Sequence, residues 1–195
     1  EVEESTVEEE EVGKSALEEL HDMYGLHGLK EQVMNFINTV KFNQSRKEQG
    51  LTVTPITLHS LFMGNPGTGK TTVARILGRV LYESGVIQNN TFVEGTRKDL
   101  VAQHIGHTAQ KTQAVLDESK GGILFIDEAY ALSTGSNQDF GREAVDTLLT
   151  FMEDNRDDTM IIFAGYTDEM NNFLKMNSGL ESRIPNNFYF DDYLP

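Results

Sequence analysis

The most informative stretch of the chain is Gly64-Asn65-Pro66-Gly67-Thr68-Gly69-Lys70-Thr71. It matches the pattern G-x-x-x-x-G-K-[ST], in which glycines let several backbone N–H groups converge on a bound phosphate. The helix that follows such a loop points its positive N-terminus at the same anion. The alternative is a strand–turn–helix junction that happens to be glycine-rich. Several fixed positions, placed between a predicted buried strand and a predicted helix, favour the phosphate-binding loop.

Lys70 and Thr71 give this loop its chemistry. Lys70 supplies positive charge for the β- and γ-phosphates of a nucleotide, and the Thr71 hydroxyl can ligate Mg²⁺, which keeps several waters. The nucleotide-binding residues predicted for this segment are Asn65, Pro66, Gly67, Thr68, Gly69, Lys70, Thr71 and Thr72.

Apolar patterning predicts the rest of the fold. A short apolar run at 58–63, before the glycine-rich loop, and apolar runs at 122–126 and 160–164 predict buried strands, and shorter strands are predicted at 91–93 and 187–190. Helices are predicted over 29–48, 71–82, 108–119, 140–154 and 167–175. Because strands alternate with helices and the most apolar strands are uninterrupted, we predict an α/β fold with a parallel sheet covered by helices on both faces.

Two acids, Asp127 and Glu128, directly follow the run 122–126. The carboxyl ends of parallel strands converge on a ligand crevice, so we expect Asp127 to hold the hydration shell of Mg²⁺ and Glu128 to orient and polarise the attacking water. Acids also mark many ordinary strand ends, but the upstream loop favours the functional interpretation. Phosphoryl transfer needs mainly positioning and charge neutralisation, so these residues predict a Mg²⁺-dependent nucleoside triphosphatase. They do not choose between ATP and GTP; the absence of the guanine-specifying pattern N-K-x-D favours ATP.

Length and charge restrict the classes of protein. The 195 residues suit one α/β domain, and the formal net charge is −15. Residues 1–12 contain seven glutamates and no basic residue, which predicts an acidic flexible linker before a core over 13–195. A nucleic-acid-binding protein usually shows a basic face, and none is visible, so we expect no nucleic-acid partner.

Membrane and secretion signals are also missing from the sequence. No apolar run approaches the roughly 18–20 residues that span a bilayer, and no signal peptide is evident. We therefore expect no membrane association and a cytoplasmic location. Because the chain begins without Met and stops just after a predicted strand, we expect it to be part of a longer protein.

Several longer stretches resemble one family. They are GNPGTGKTTVAR at 64–75, IGHTAQKT at 105–112, GGILFIDEAYAL at 121–132, DFGREAVDTLL at 139–149 and FAGYTDEM at 163–170. Together they resemble the CbbX / stage V sporulation protein K group of AAA+ ATPases. The resemblance implies a P-loop NTPase fold with a five-stranded parallel sheet, whose helical lid would lie beyond this chain. It also implies ATP and Mg²⁺ as cofactors, a ring that is usually a hexamer, and force applied to a protein substrate of unknown identity.

The resemblance assigns further binding and catalytic residues. Tyr24, Gly25 and Leu26 match the segment near the adenine, although a simple helix-entry turn is the alternative. Arg183 matches the arginine finger, which reaches the γ-phosphate of a neighbouring subunit in a head-to-tail ring. The alternative for Arg183 is a surface arginine in a turn.

His104, Ile105 and Gly106 fall where the family carries its central pore loop, with His104 in the usual aromatic place. An ordinary surface loop is the alternative, and two functions therefore stay open. The first is a ring motor that remodels a protein, and the second is a nucleotide-gated scaffold that binds ATP and assembles without threading substrate. The resemblance assigns no γ-phosphate sensor in Gly165-Tyr166-Thr167, where many AAA+ proteins carry a polar residue.

Overall fold

The structure, a computed structural model that describes residues 14–23, 27–133 and 140–192, is built around one parallel sheet. Its strands are β1 Ser60–Gly64, β2 Phe92–Gly95, β3 Ile123–Ile126, β4 Met160–Gly165 and β5 Asn186–Phe190. The strand order is β2-β3-β4-β1-β5, and every pairing is parallel. The predicted α/β fold with a five-stranded parallel sheet is confirmed.

Helices precede and connect the strands. They are α1 Ala16–Asp22, α2 His27–Glu48, α3 Lys70–Glu83, α4 Arg97–Leu100, α5 Thr108–Ser119, α6 Gly141–Asp154, α7 Thr167–Met176 and α8 Ser178–Arg183, with a 3-10 helix at Ala129–Leu132. The five predicted helices correspond to α2, α3, α5, α6 and α7.

Apolar spacing did not predict α1, α4, α8 or the 3-10 helix. Each has seven residues or fewer, which is too short for the apolar spacing of one helix face to repeat. For α1 a local signal exists, because Ser15 and Glu18 form a capping box. The Ser15 hydroxyl accepts from the Glu18 N–H at 3.3 Å, and the Glu18 carboxylate accepts from the Ser15 N–H at 2.8 Å.

The sheet lies between two hydrophobic cores. Phe62 and Phe125 face the core that α2 and α3 cover, whereas their chain neighbours Leu61 and Leu124 face the core that α6 and α7 cover. Successive side chains of a strand point to opposite faces, so a strand buried on both faces needs an unbroken apolar run. This is the physical reason for the uninterrupted apolar runs in the sequence.

A crevice forms between β1 and β4 because the helices that follow these two strands lie on opposite faces of the sheet. These strands are neighbours, yet α3, which follows β1, packs on one face of the sheet, and α7, which follows β4, packs on the other. A ligand crevice forms outside the carboxyl ends of the strands at such a switch point.

Two sequence expectations concern the ends of the chain and the membrane. The predicted linker over 1–12 lies outside the described residues, so the domain boundary stays a prediction. Among the helices of the described segments, none is long and apolar enough to span a bilayer.

One buried polar side chain, His59, links strand β4 to helix α6. Its Nδ1 accepts a hydrogen bond from the Ile161 N–H at 3.1 Å, so the proton is on Nε2, which donates to the Met152 carbonyl at 2.9 Å. Burial lowers the pKa of His59 from 6.5 to about 4, although the bond to the Met152 carbonyl acts in the opposite direction.

We predict that His59 makes the fold sensitive to mild acid. The unfolded chain takes up a proton at this imidazole below pH 6.5, whereas the folded chain does so only near pH 4. As the pH is lowered from 6.5 to about 4, the free energy of unfolding should therefore decrease, by about 3 kcal/mol from this group alone. Urea unfolding at pH 7 and pH 4.5 should show a smaller difference for His59→Gln than for the unmodified chain. The exposed His104→Gln is the control, and equal pH dependence in all three proteins would contradict the prediction.

Candidate functional site

The phosphate-binding loop has the backbone conformation that its glycines allow. Gly67 and Gly69 have φ angles of 74° and 91°, in the left-handed region that glycine adopts without steric cost. The helix α3 begins directly afterwards at Lys70. Its N-terminal N–H groups have no partner within the helix, so they are available to a ligand at the loop.

Gly64 lets β1 end in close contact with β5. A Cβ atom at Gly64 would lie 2.5 Å from the Phe190 carbonyl oxygen and 2.8 Å from the Phe190 Cβ, closer than real atoms approach. These two residues are paired in the sheet. The glycine therefore fixes where the loop starts relative to the edge strand.

The Lys70 ammonium lies inside the loop. Its Nζ donates to the carbonyls of Gly64 and Asn65, both at 2.7 Å, and the Thr68 hydroxyl donates to the same Asn65 carbonyl at 2.7 Å. Burial lowers the pKa of Lys70, and the Asp127 carboxylate opposes this shift. Lys70, in the loop after β1, therefore interacts electrostatically with Asp127, which follows β3.

Asp127 and Glu128 lie between the end of β3 and the start of the 3-10 helix. The Asp127 N–H donates to the Gly95 carbonyl at 3.0 Å, and the Glu128 N–H donates to Asp127 Oδ1 at 2.9 Å, which orients that carboxylate. Glu128 has φ 50° and ψ 46°, and among the described residues it is the one non-glycine with positive φ. Backbone strain of this kind is found where a functional position is fixed by its surroundings.

A cavity of about 490 Å³ brings these predicted residues together. It is lined by Gly64, Pro66, Gly67, Gly69, Lys70, Thr71, Thr72, Asp127, Glu128, Gly165 and Tyr166. The carboxyl ends of β1, β3 and β4 all open into it, as expected for the crevice of a parallel sheet. Gly165 and Tyr166 are the site residues to which the sequence analysis assigned no role.

The donor groups of this cavity fit Mg²⁺. Magnesium takes oxygen ligands, commonly one or two from the protein, with phosphates and waters completing the shell. The Thr71 hydroxyl and the Asp127 carboxylate line the same cavity and are donors of this kind. No group of three or more metal-binding His, Asp or Glu side chains occurs in the described ranges, so ligands from substrate and water would be needed.

Arg183 lies elsewhere in the same chain, at the end of α8. Its Nη1 donates to the Gly179 carbonyl at 2.9 Å, and its Nε lies 3.4 Å from Glu153 Oε2. Arg183 is not among the described residues that line the cavity. A catalytic role for this side chain would therefore have to be exerted on another chain.

The segment 101–107 projects a small exposed turn. Ile105 is 84% exposed, and Gly106 has φ 81°. Three contacts from α5 hold the base of the turn. The Thr108 hydroxyl accepts from the Ala102 N–H at 3.1 Å, the Thr112 hydroxyl donates to the Leu100 carbonyl at 2.8 Å, and Lys111 Nζ donates to the Val101 carbonyl at 3.3 Å.

Comparison with known proteins identifies the family. The family model described as "ATPase family associated with various cellular activities (AAA)" matches residues 60–192. This range contains every strand, the loop and both acids.

The chain belongs to the AAA family of ATPases.

Relatives of this AAA chain fall in the predicted group. It is 47% identical over 180 residues to stage V sporulation protein K of Bacillus subtilis (strain 168), covering 92% of this chain and 56% of the relative. It is 46% identical over 182 residues to protein CbbX of Cereibacter sphaeroides, covering 92% and 59%. It is 46% identical over 175 residues to the chloroplastic ribulose bisphosphate carboxylase/oxygenase activase of Cyanidioschyzon merolae (strain NIES-3377 / 10D), covering 89% and 60%. The resemblance to the CbbX / stage V sporulation protein K group is confirmed, and the chain spans somewhat over half the length of these relatives.

A solved structure supports the AAA fold independently of close sequence similarity. The crystal structure of the FIGL-1 AAA domain in complex with ADP matches with a TM-score of 0.60 at 19% identity, covering 87% of this chain and 54% of that one. At this identity the likeness concerns the fold alone.

The predicted adenine-binding residues of the AAA chain, Tyr24, Gly25 and Leu26, lie outside the described residues and stay a prediction. Asn65 and Thr68 do not line the cavity but shape the loop through hydrogen bonds. The other loop residues that the sequence predicted do line it.

We predict that two glycines of the loop differ sharply in tolerance. Gly64→Ala places a methyl group against the Phe190 backbone, which cannot move without breaking the pairing of β1 with β5, and should cost about 3 kcal/mol or more. Gly67→Ala meets no atom within 4 Å, so only the strain of its positive φ remains, about 1–2 kcal/mol. Urea unfolding without nucleotide measures both losses. Equal losses, or a larger loss for Gly67→Ala, would contradict the geometry described for the loop.

Proposed function

We propose that this chain binds ATP together with Mg²⁺, hydrolyses the β–γ phosphoanhydride, and uses the energy to remodel a protein substrate within a ring. The observation that carries the proposal is the cavity in which Lys70, Thr71, Asp127 and Glu128 meet at one edge of the sheet.

The loop and helix α3 bind the phosphates in this proposal. Backbone N–H groups of the loop and the first turn of α3 donate to phosphate oxygens, and the helix dipole adds a favourable field. The Lys70 ammonium already donates two hydrogen bonds to loop carbonyls, so it is held close to where the β- and γ-phosphates would lie. Its partial burial strengthens its attraction to an anion, since less water screens the charge.

Glu128 orients the nucleophile. Its carboxylate accepts a hydrogen bond from a water, whose oxygen forms the new bond to the γ-phosphorus while the bond to the β–γ bridging oxygen breaks. The products are ADP and inorganic phosphate. The Thr71 hydroxyl would ligate Mg²⁺ and the Asp127 carboxylate would hold its hydration shell, and the ion would supply charge neutralisation when bound. ATP rather than GTP is proposed because the guanine-specifying sequence pattern is absent.

Arg183 completes the site of the next subunit. Its place outside the cavity of its own chain supports a role in trans, where the guanidinium stabilises charge that develops on the γ-phosphate. A head-to-tail contact that closes on itself produces a ring, and we propose a hexamer. The ion pair with Glu153 holds the side chain in the absence of a neighbour.

Remodelling is favoured over the scaffold because of the turn at 101–107. An isoleucine that is 84% exposed is available to grip an extended polypeptide, and α5 anchors the turn that carries it. We propose that His104, Ile105 and Gly106 form the substrate-gripping loop of the ring. His104 stands where the pore loop of the family usually carries an aromatic residue, and its exposed imidazole can stack on a substrate chain.

We predict that two inactive variants restore activity when they are mixed. Glu128→Gln and Arg183→Ala should each lower the ATPase rate about 100-fold or more, since each removes a group that acts on the transition state. In a random 1:1 ring, about one quarter of the sites pair an intact Glu128 with an intact Arg183 from the neighbour. The steady-state ATPase rate of the mixture should therefore recover to about one quarter of the rate of the unmodified chain.

The matched control mixes Glu128→Gln with Lys70→Met. Both residues belong to the cavity of one chain, so no arrangement of these two variants rebuilds a site and the mixture should stay inactive. Recovery in both mixtures, or in neither, would contradict the site shared between subunits. An inactive unmodified chain would contradict the ATPase proposal itself.

A further inference from the structure

A contact between residues 127 positions apart links the phosphate-binding loop to the segment that directly follows β5, the edge strand beside β1. Asn65 Nδ2 donates to both carboxylate oxygens of Asp192, at 2.9 and 3.0 Å. Asp192 lies two residues beyond Phe190, the last residue of β5. Asp192 has no part in the nucleotide contacts proposed above, and neither Asn65 nor Asp192 lines the cavity.

Asn65 is held from two directions. On the loop side its carbonyl accepts from both the Lys70 ammonium and the Thr68 hydroxyl. On the sheet side its amide binds Asp192. The side chain and the carbonyl belong to one residue with few free torsions, so fixing the amide restricts where the carbonyl can go.

The partner of Asn65 is itself attached to the sheet. Phe190 pairs with Gly64, and the two backbones approach so closely there that only glycine fits. Asp192 therefore extends from an anchored strand end beside the start of the loop. Its neighbour Asp191 is also an exposed aspartate, but within the described part of the chain it makes no hydrogen bond or ion pair.

We propose that Asp192 is a positioning residue for the nucleotide site: it holds Asn65, and through Asn65 the shape of the phosphate-binding loop. This rests on the proposed ATP site. When a phosphate attracts the Lys70 ammonium away from the Asn65 carbonyl, the bond to Asp192 keeps the Asn65 peptide in place. Nucleotide affinity thereby depends on where the chain lies directly after β5.

The coupling is reciprocal. If the position of Asp192 changes the affinity for nucleotide, bound nucleotide favours that position by the same factor. The contact therefore gives the phosphate site a direct connection to whatever segment follows β5, without passing through the helices.

Charge alone predicts the opposite sign. A carboxylate near a phosphate site repels the anion, so if repulsion dominated, removal of Asp192 would tighten ATP binding, and more so at low salt. If positioning dominates, removal weakens binding. The direction of the change therefore separates the two effects.

The test measures ATP affinity by calorimetry, together with KM and kcat, for Asp192→Ala, Asn65→Ala, the double variant and the control Asp191→Ala. We expect Asp192→Ala to raise the Kd and the KM for ATP on the order of fivefold, at the low end of coupling between linked sites. We expect its kcat to stay within about twofold, because the reacting groups are untouched. Asp191→Ala should match the unmodified chain, and the double variant should bind no more weakly than Asn65→Ala.

Four results would overturn the inference: equal behaviour of Asp192→Ala and Asp191→Ala, tighter ATP binding by Asp192→Ala, additive effects in the double variant, or a lowered kcat at unchanged KM. The last result, with a lowered Tm in the absence of nucleotide, would indicate a merely structural role. An unmodified chain that binds no ATP would instead refute the proposed function, so the two failures are distinguishable.

Discussion

The burial of β1 on both faces and between two neighbouring strands is the constraint on which the site depends. All five residues of this strand are buried, and β4 and β5 pair with its two edges. A strand held this way cannot shift its register without moving every side chain to the wrong core. Its end is therefore a fixed point, and the phosphate-binding loop starts there. Gly64 contributes by lacking a side chain, because the Phe190 backbone occupies the space that a Cβ would need.

The same constraint places the other chemical groups. Since all strands are parallel, the ends of β1, β3 and β4 lie along one edge, and residues distant in sequence line one cavity there. The cavity partly desolvates Lys70, which lowers its pKa, while Asp127 opposes that shift. Glu128 is held in a left-handed conformation at the junction with the 3-10 helix. The packed core therefore fixes the positions of Lys70, Asp127 and Glu128 around one cavity, including the strained backbone of Glu128.

Much of this arrangement could be predicted from the sequence, because the loop and the pair of acids are local patterns with a fixed order of residue types. The strands β3 and β4 could be predicted because burial on both faces demands unbroken apolar runs. Strand order is not encoded in such runs, so the contact of Asn65 with Asp192 and the place of Tyr166 in the cavity could only be seen in three dimensions. The short helix α8, which carries Arg183, was missed because six residues give too little periodicity. His59 could not be identified as a buried residue with two backbone partners, since histidine carries no pattern of its own.

The central claim is that the loop and cavity bind ATP, and calorimetric titration of ATP in the presence of Mg²⁺ tests it most directly. The unmodified chain should bind one ATP per chain, and GTP should bind more weakly. Lys70→Met keeps the length of the side chain but removes its charge and its hydrogen bonds to the loop, and should bind ATP at least about tenfold more weakly, as expected for loss of a charged hydrogen-bond donor. Equal ATP affinity for the two proteins, or no ATP binding by the unmodified chain, would contradict the account.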